Sequence, residues 1–332
     1  MKNLLASILV AAVSTATAAE APQDFGGIFG RGINLGNALE APAEGEWGVT
    51  LREEYFAAIK DAGFQHVRIP VRWSAHAALE SPYTIDPKFL ARVDWAIAQA
   101  TDRGLAVVLN MHHYDEIFED PDAERDRFLG IWGQLATHYH NAPATLALEP
   151  LNEPHKKLTN ERWNELSAAA ITLIRKSNPT RFIVVGPGGY NNFQQLPHFK
   201  IPAGDSNIVA TFHYYDPFHF THQGAAWVGE QSKEWLGKTW SGTDAEKADV
   251  RKAFDAASAW AKEHGVAMYL GEFGAYGKAD IESRVAWTRF IAEECRQRGM
   301  ASAYWEFCSG FGAYDPKANE WRKPLLEALG GR

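Results

Sequence analysis

The chain has 332 residues, with 33 Lys and Arg against 41 Asp and Glu, for a formal charge of −8. That shortage of cations excludes a phosphate-gripping nucleic-acid binder, and two Cys are too few for a disulfide scaffold. At 46% hydrophobic and 22% charged the composition is that of a globular protein, and the 12 Trp, 11 Tyr and 18 Phe suffice for a core and for surfaces that stack on flat faces such as sugar rings.

The first element reads as an export signal. Lys2 precedes the apolar stretch Leu4 to Val13 and the small-residue pattern Ala16-Thr17-Ala18, which places a signal peptide at residues 1–19 and the mature protein outside the cytoplasm, secreted or periplasmic. The stretch falls short of the roughly 20 apolar residues of a membrane span, and no other segment approaches that length. Residues 20–332 contain no Pro/Ser/Thr-rich linker, charge block or repeat, so one domain is expected, without membrane attachment after signal cleavage. Cys295 falls in a helical stretch and Cys308 just past a strand, which argues against their pairing.

Short apolar runs then alternate with helical patterns. Strands are expected at Gly32–Leu35, His66–Pro70, Ala106–Met111, Leu146–Leu151, Phe182–Gly186, Ile208–His213, Ala267–Gly271 and Ser302–Phe307. Between the second and third, Asp86 caps a helix that opens on Pro87 and closes at Gly104, with Phe89, Leu90, Val93, Ile97 and Ala100 on its buried stripe. Trp163, Leu166, Ala170, Leu173 and Ile174 form the same stripe after the fourth strand. Successive strand–helix units imply a parallel sheet, and closing it at eight strands gives an α/β fold, a single (β/α)₈ barrel. An open doubly wound sheet competes, but Gly32-Ile33-Asn34-Leu35-Gly36 lacks the spacing of a phosphate-binding loop.

Active sites of such barrels lie at the C-terminal ends of the strands. The polar residues expected there are Arg68, His112 and His113, Asn152 and Glu153, His213 and Tyr215, Glu272, and Trp305 with Glu306. Glu153 and Glu272 end apolar runs on strands four and seven, the pairing that glycoside hydrolysis requires: one carboxyl protonates the leaving oxygen, the other attacks or activates water. Structural carboxylates satisfied by Arg or backbone donors are the plain alternative. Adjacent side chains of a strand face opposite ways, so His112 and His113 should not share a metal, although His112, His213 and Glu272 keep a metal-dependent hydrolase open. A non-catalytic carbohydrate-binding barrel is the other alternative. In the long segment Asp216 to Thr243, Trp227, Trp235 and Trp240 are candidates either for sugar stacking or for pinning the loop, as is Trp47 after the first strand.

The motifs Gly32-Ile33-Asn34-Leu35-Gly36-Asn37, His66-Val67-Arg68-Ile69-Pro70, Asn110-Met111-His112-His113-Tyr114 and Leu151-Asn152-Glu153-Pro154 occur in order. Phe212-His213-Tyr214-Tyr215-Asp216-Pro217, Gly271-Glu272-Phe273-Gly274 and Ala303-Tyr304-Trp305-Glu306-Phe307 follow. With these seven stretches the chain resembles glycoside hydrolase family 5, the retaining endo-β-glycanases. The resemblance implies Glu153 as acid/base and Glu272 as nucleophile, with Arg68, Asn152, His213 and Tyr215 in support. It also implies sugar contacts from Asn34, His112, His113 and Trp305, to which the loop residues Trp227 and Trp240 are added. Arg68 and Tyr215 should keep Glu272 ionised, and the charge on Glu272 should hold Glu153 protonated. An exported endo-β-1,4-glucanase on β-1,4-linked polysaccharide is expected, with an endo-β-1,4-mannanase or dual enzyme as the alternative. Neither metal nor organic cofactor is required, and the family default is a monomer. A retaining pair should stand about 5–5.5 Å apart.

Overall fold

The computed structural model describes residues 24–331; the expected signal peptide lies outside them. The barrel strands are β1 (Arg31–Asn34), β2 (His66–Val71), β3 (Ala106–Met111), β4 (Leu146–Glu149), β5 (Ile183–Val185), β6 (Ile208–His213), β7 (Ala267–Phe273) and β8 (Ala301–Tyr304). They close in sequence order, and β8 returns to β1 in parallel through Arg31↔Ser302, Gly32↔Ala303 and Ile33↔Tyr304. The expected (β/α)₈ barrel is the fold.

α-Helices fill most of the crossovers, among them Pro87–Thr101, Asn160–Arg175, Asp244–His264 and Ile281–Gln297. Asp86 caps the first of these by accepting from the Lys88 N–H, with Pro87 at its first position; Gly104 lies just beyond its end, at φ 69°. The fifth crossover differs. After β5 the chain makes only a short turn, Gly188–Asn191, and a 3₁₀ helix, Phe193–His198. No described helix is long and apolar enough to cross a membrane. Cys295 and Cys308 are buried free thiols.

Strand alternation sorts the residues into two cores. Val107 and Leu109 face the helices in one cluster, while Ala106 and Val108 face the barrel axis in another, with Ala147, Val184, Val209 and Tyr269. A short helix, Phe25–Phe29, joins this inner cluster through Phe25 and Phe29, and nothing in the periodicity had announced it. The same alternation, continued two to four residues further up, brings Arg68, Asn110, Glu149, Thr211 and His213 to the axis. The barrel interior is thus polar at the mouth and mostly apolar at the bottom, where buried His66 is hydrogen-bonded to the Phe29 carbonyl and the Tyr269 hydroxyl.

Candidate active site

Arg68 organises the mouth from β2. Its Nε and Nη2 donate to Glu149 at 2.7 and 2.9 Å, Nη1 donates to Glu272 Oε1 at 2.7 Å and to Asn34 Oδ1 at 2.9 Å, and Nη2 also donates to Asn152 Oδ1 at 2.7 Å. Burial opposes the guanidinium charge, but Glu149 and Glu272 outweigh it and raise its pKa. A buried cation is tolerable only with such compensation.

Glu272 takes its second donor from the Tyr215 hydroxyl, at 2.9 Å to Oε2. Burial first, and the carboxylates of Glu272 and Glu153 next, push the tyrosine pKa well up, so it remains a donor. Burial raises Glu272 itself, against the charges of His213 and Arg68. A donor on each oxygen favours its ionised form. The Gly-Glu-Phe-Gly motif has a steric reason: a Cβ at Gly274 would lie 2.0 Å from the Trp305 carbonyl oxygen.

Glu153 is differently placed. Its side chain is 25% exposed, against 6% for Glu272, and Oε1 shares a hydrogen bond with His213 Nδ1 at 2.7 Å. Its pKa is pushed up to about 7, mainly by burial, with Arg68 and His155 opposing. The expected direction holds, but the cause is desolvation rather than the charge on Glu272. Burial lowers His213 to about 4, so its ring is neutral near pH 7.

The mouth opens into a cleft of about 930 Å³ lined by Glu153, Glu272, Asn152, His213 and Tyr215, and also by His112, His113, Trp305, Trp47 and Trp227. His112 stacks on Trp305 with ring centres 5.3 Å apart, and His113 meets His112 edge-on at 4.7 Å. Both histidines reach the cleft because β3 ends at Met111, so strand alternation no longer separates them. Trp227 is 62% exposed beside Tyr276 and Phe311.

Two expected sugar contacts are corrected. Asn34 is fully buried, its Nδ2 donating to the carbonyls of Gly271, Ala303 and Tyr304, so it braces Arg68 and does not line the cleft. Trp240 is 3% exposed and packs on Phe290, pinning its loop to the helix Ile281–Gln297. Trp235 is likewise absent from the cleft, its ring stacked on His219. Glu306 is structural: its carboxylate accepts the backbone N–H groups of Cys308, Ser309 and Phe311.

Glu149 and Glu40 went unrecognised in the sequence. Glu149 interrupts the apolar run of β4, and a charge there demands a partner; Arg68 on β2, two strands away across β3, was the signal. Glu40 lines the cleft, accepts the N–H groups of Asn37 and Ala38, and is raised to about 8 by burial. Only its place after the Gly-Asn-Ala-Leu run hinted at it.

Among the described residues Glu153, His213 and Glu272 place donor atoms within 4.8 Å of one another. Both oxygens of Glu272, Oε1 of Glu153 and Nδ1 of His213 are already engaged in hydrogen bonds, and a cation would have to compete with them beside a guanidinium. The set fits a carboxylate pair better than a metal centre.

Such a pair, one member hydrogen-bonded on both oxygens by Arg68 and Tyr215 and the other able to carry a proton at neutral pH, is what cleavage of a glycosidic bond demands, and with the barrel around it defines a glycoside hydrolase. Residues 30–310 match the family described as Cellulase (glycosyl hydrolase family 5), and the chain belongs to that family. It is 40% identical to Endoglucanase H of Acetivibrio thermocellus over 278 residues, which cover 84% of this chain but 29% of that longer protein. The structure of Thermotoga maritima Cel5A in complex with cellobiose is 49% identical, with a TM-score of 0.90 over 92% of this chain and 98% of that one. Cel5A in complex with mannotriose gives 49% identity and a TM-score of 0.89, over 91% and 97% of the two chains.

Proposed function

We propose that this enzyme is an exported endo-β-1,4-glucanase that cleaves with retention of configuration. The observation that carries the mechanism is the spacing of the pair. One carboxylate oxygen of Glu153 lies within 4.8 Å of one of Glu272, a closeness that suits a retaining pair and leaves little room for the water admitted between the carboxyl groups of an inverting pair, which stand roughly 6.5–9.5 Å apart.

In the first step Glu272 attacks the anomeric carbon while Glu153 gives its proton to the leaving oxygen. Arg68 holds the attacking carboxylate from one side and Tyr215 from the other. In the second step Glu153, now ionised, takes a proton from water as the water displaces Glu272. Asn152 has its Oδ1 fixed by Arg68, which leaves its N–H groups for a sugar hydroxyl. Trp305 offers its face to the ring beside the bond cleaved, and His112 its buried neutral imidazole. Both steps run on carboxylates and water.

The internal mode of cleavage is supported by exposed aromatic rings flanking the pair: Trp47 from the loop after β1 and Trp227 from the loop after β6. Export rests on the pattern from Lys2 to Ala18. A glucan preference is supported by the relatives' names. A mannanase or dual activity is the second reading, favoured by the mannotriose complex of Cel5A.

Comparing kcat/KM on soluble β-1,4-glucan and on β-1,4-mannan tests the substrate. A higher value on glucan is expected, and a higher value on mannan replaces the first reading by the second. Binding without hydrolysis of either polymer overturns both in favour of a carbohydrate-binding barrel. Activity should survive exhaustive chelation; loss restored by Zn²⁺ would bring back the metal-dependent reading. A mature N-terminus after residue 19 is expected from exported protein.

A further inference from the structure

We propose that the short turn Gly188–Asn191 after β5 is the orienting element of the acid/base, with Asn191, Tyr190 and His155 as positioning residues for Glu153. The inference rests on Glu153 being the acid/base.

Glu153 needs external support. β4 ends at Glu149, four positions earlier, and Glu153 has a left-handed backbone at φ 46°, a conformation that a non-glycine residue keeps only when its surroundings hold it. Three contacts fix this segment. The Glu153 carbonyl accepts from His155 Nδ1 at 2.6 Å, the Pro154 carbonyl accepts from the Tyr190 N–H at 3.2 Å, and Glu153 Oε1 shares a hydrogen bond with His213 Nδ1 at 2.7 Å. The turn reaches all three. Tyr190 stacks on the His155 ring at 4.3 Å, with Phe118 packed against that ring at 4.0 Å. Asn191 directs Nδ2 at His213 Nε2 at 3.4 Å.

The Asn191 contact decides a proton position. A neutral imidazole carries one N–H, and an amide donor at Nε2 leaves that nitrogen as acceptor and puts the hydrogen on Nδ1. His213 then donates to Oε1 of Glu153, and the transferable proton is left to Oε2, the oxygen free to meet the leaving group. With the other tautomer, Nδ1 would compete for that proton.

The turn is built for this. Gly189, Tyr190 and Asn191 all have positive φ, at 64°, 65° and 54°, a conformation Asn tolerates better than most residues. A Cβ at Gly186 would lie 2.6 Å from Asn191 Oδ1, so glycine there lets the amide reach β6. Asn192 then bridges to the His213 backbone.

The test uses two aryl β-glycosides of the oligosaccharide the wild type hydrolyses, one with a 2,4-dinitrophenyl and one with a phenyl leaving group. Asn191→Asp replaces the donor by an acceptor; Asn191→Gly removes it and keeps positive φ accessible. Loss of proper protonation should cost the phenyl glycoside about tenfold to a hundredfold in kcat/KM and the dinitrophenyl glycoside less than about threefold, with Asn191→Asp the worse variant. Tyr190→Ala, at a residue 54% exposed, should fold and show a smaller loss of the same kind. Equal losses on both glycosides, or none on either, overturn the proposal. If Glu153→Ala lacks this leaving-group dependence, the acid/base assignment itself falls.

Discussion

Glu149 binds the guanidinium of Arg68 at two points, Nε to Oε2 at 2.7 Å and Nη2 to Oε1 at 2.9 Å, with both side chains buried. Glu149 never reaches the cleft. Its work is indirect: it neutralises and aims the cation that in turn holds Glu272 and Asn152.

Glu149→Gln should therefore damage stability and catalysis together. It leaves a buried cation short of one countercharge, a class of change that costs about 3–5 kcal/mol. A lower urea midpoint is expected, with kcat reduced more than KM is raised, because Glu272 loses the orientation of its donor. An unchanged midpoint would show that Glu272 alone compensates Arg68.

The pH profile follows from Glu153. It must hold a proton to act in the first step, and its pKa is about 7, so kcat/KM on oligoglucan should fall as pH rises through that value. A 2,4-dinitrophenyl glycoside, which needs little protonation, should show a weaker alkaline limb. A profile on oligoglucan still flat at about pH 9 would contradict the assignment.

Trp227 and Trp240 belong to one loop and should respond oppositely. Trp227→Ala should raise KM on polymer and leave the melting temperature nearly unchanged, since the ring is exposed in the cleft. Trp240→Ala empties a packed position and should cost about 3–5 kcal/mol, with KM little changed in the folded fraction. Equal effects would mean that the loop acts as one unit.

That contrast marks where the sequence stopped being legible. The barrel was readable because alternation along strands and the stripe from Phe89 to Ala100 are local patterns. Glu153 and Glu272 were readable because carboxylates beside apolar runs are conspicuous. Trp227 and Trp240 look alike in sequence, and only the packing of Phe290 and Phe311 separates them. Asn34 was misread for a related reason. Its motif places it at the mouth, but its amide is consumed by three backbone carbonyls, a long-range arrangement that spacing does not encode. The β4 boundary failed because Pro150 to Leu151 continues the apolar run after pairing has ended at Glu149.

The central claim, that Glu272 attacks and Glu153 transfers the proton, is tested most directly by the anomeric configuration of the glycosyl azide that each alanine variant forms. By NMR, Glu272→Ala with added azide should yield the α-glycosyl azide from an activated β-glycoside, the small anion replacing the missing nucleophile. Glu153→Ala should yield the β-glycosyl azide, because azide intercepts an intermediate already inverted once by Glu272. Exchange of the two outcomes would reverse the roles, and an α-azide from both variants would contradict a covalent intermediate altogether.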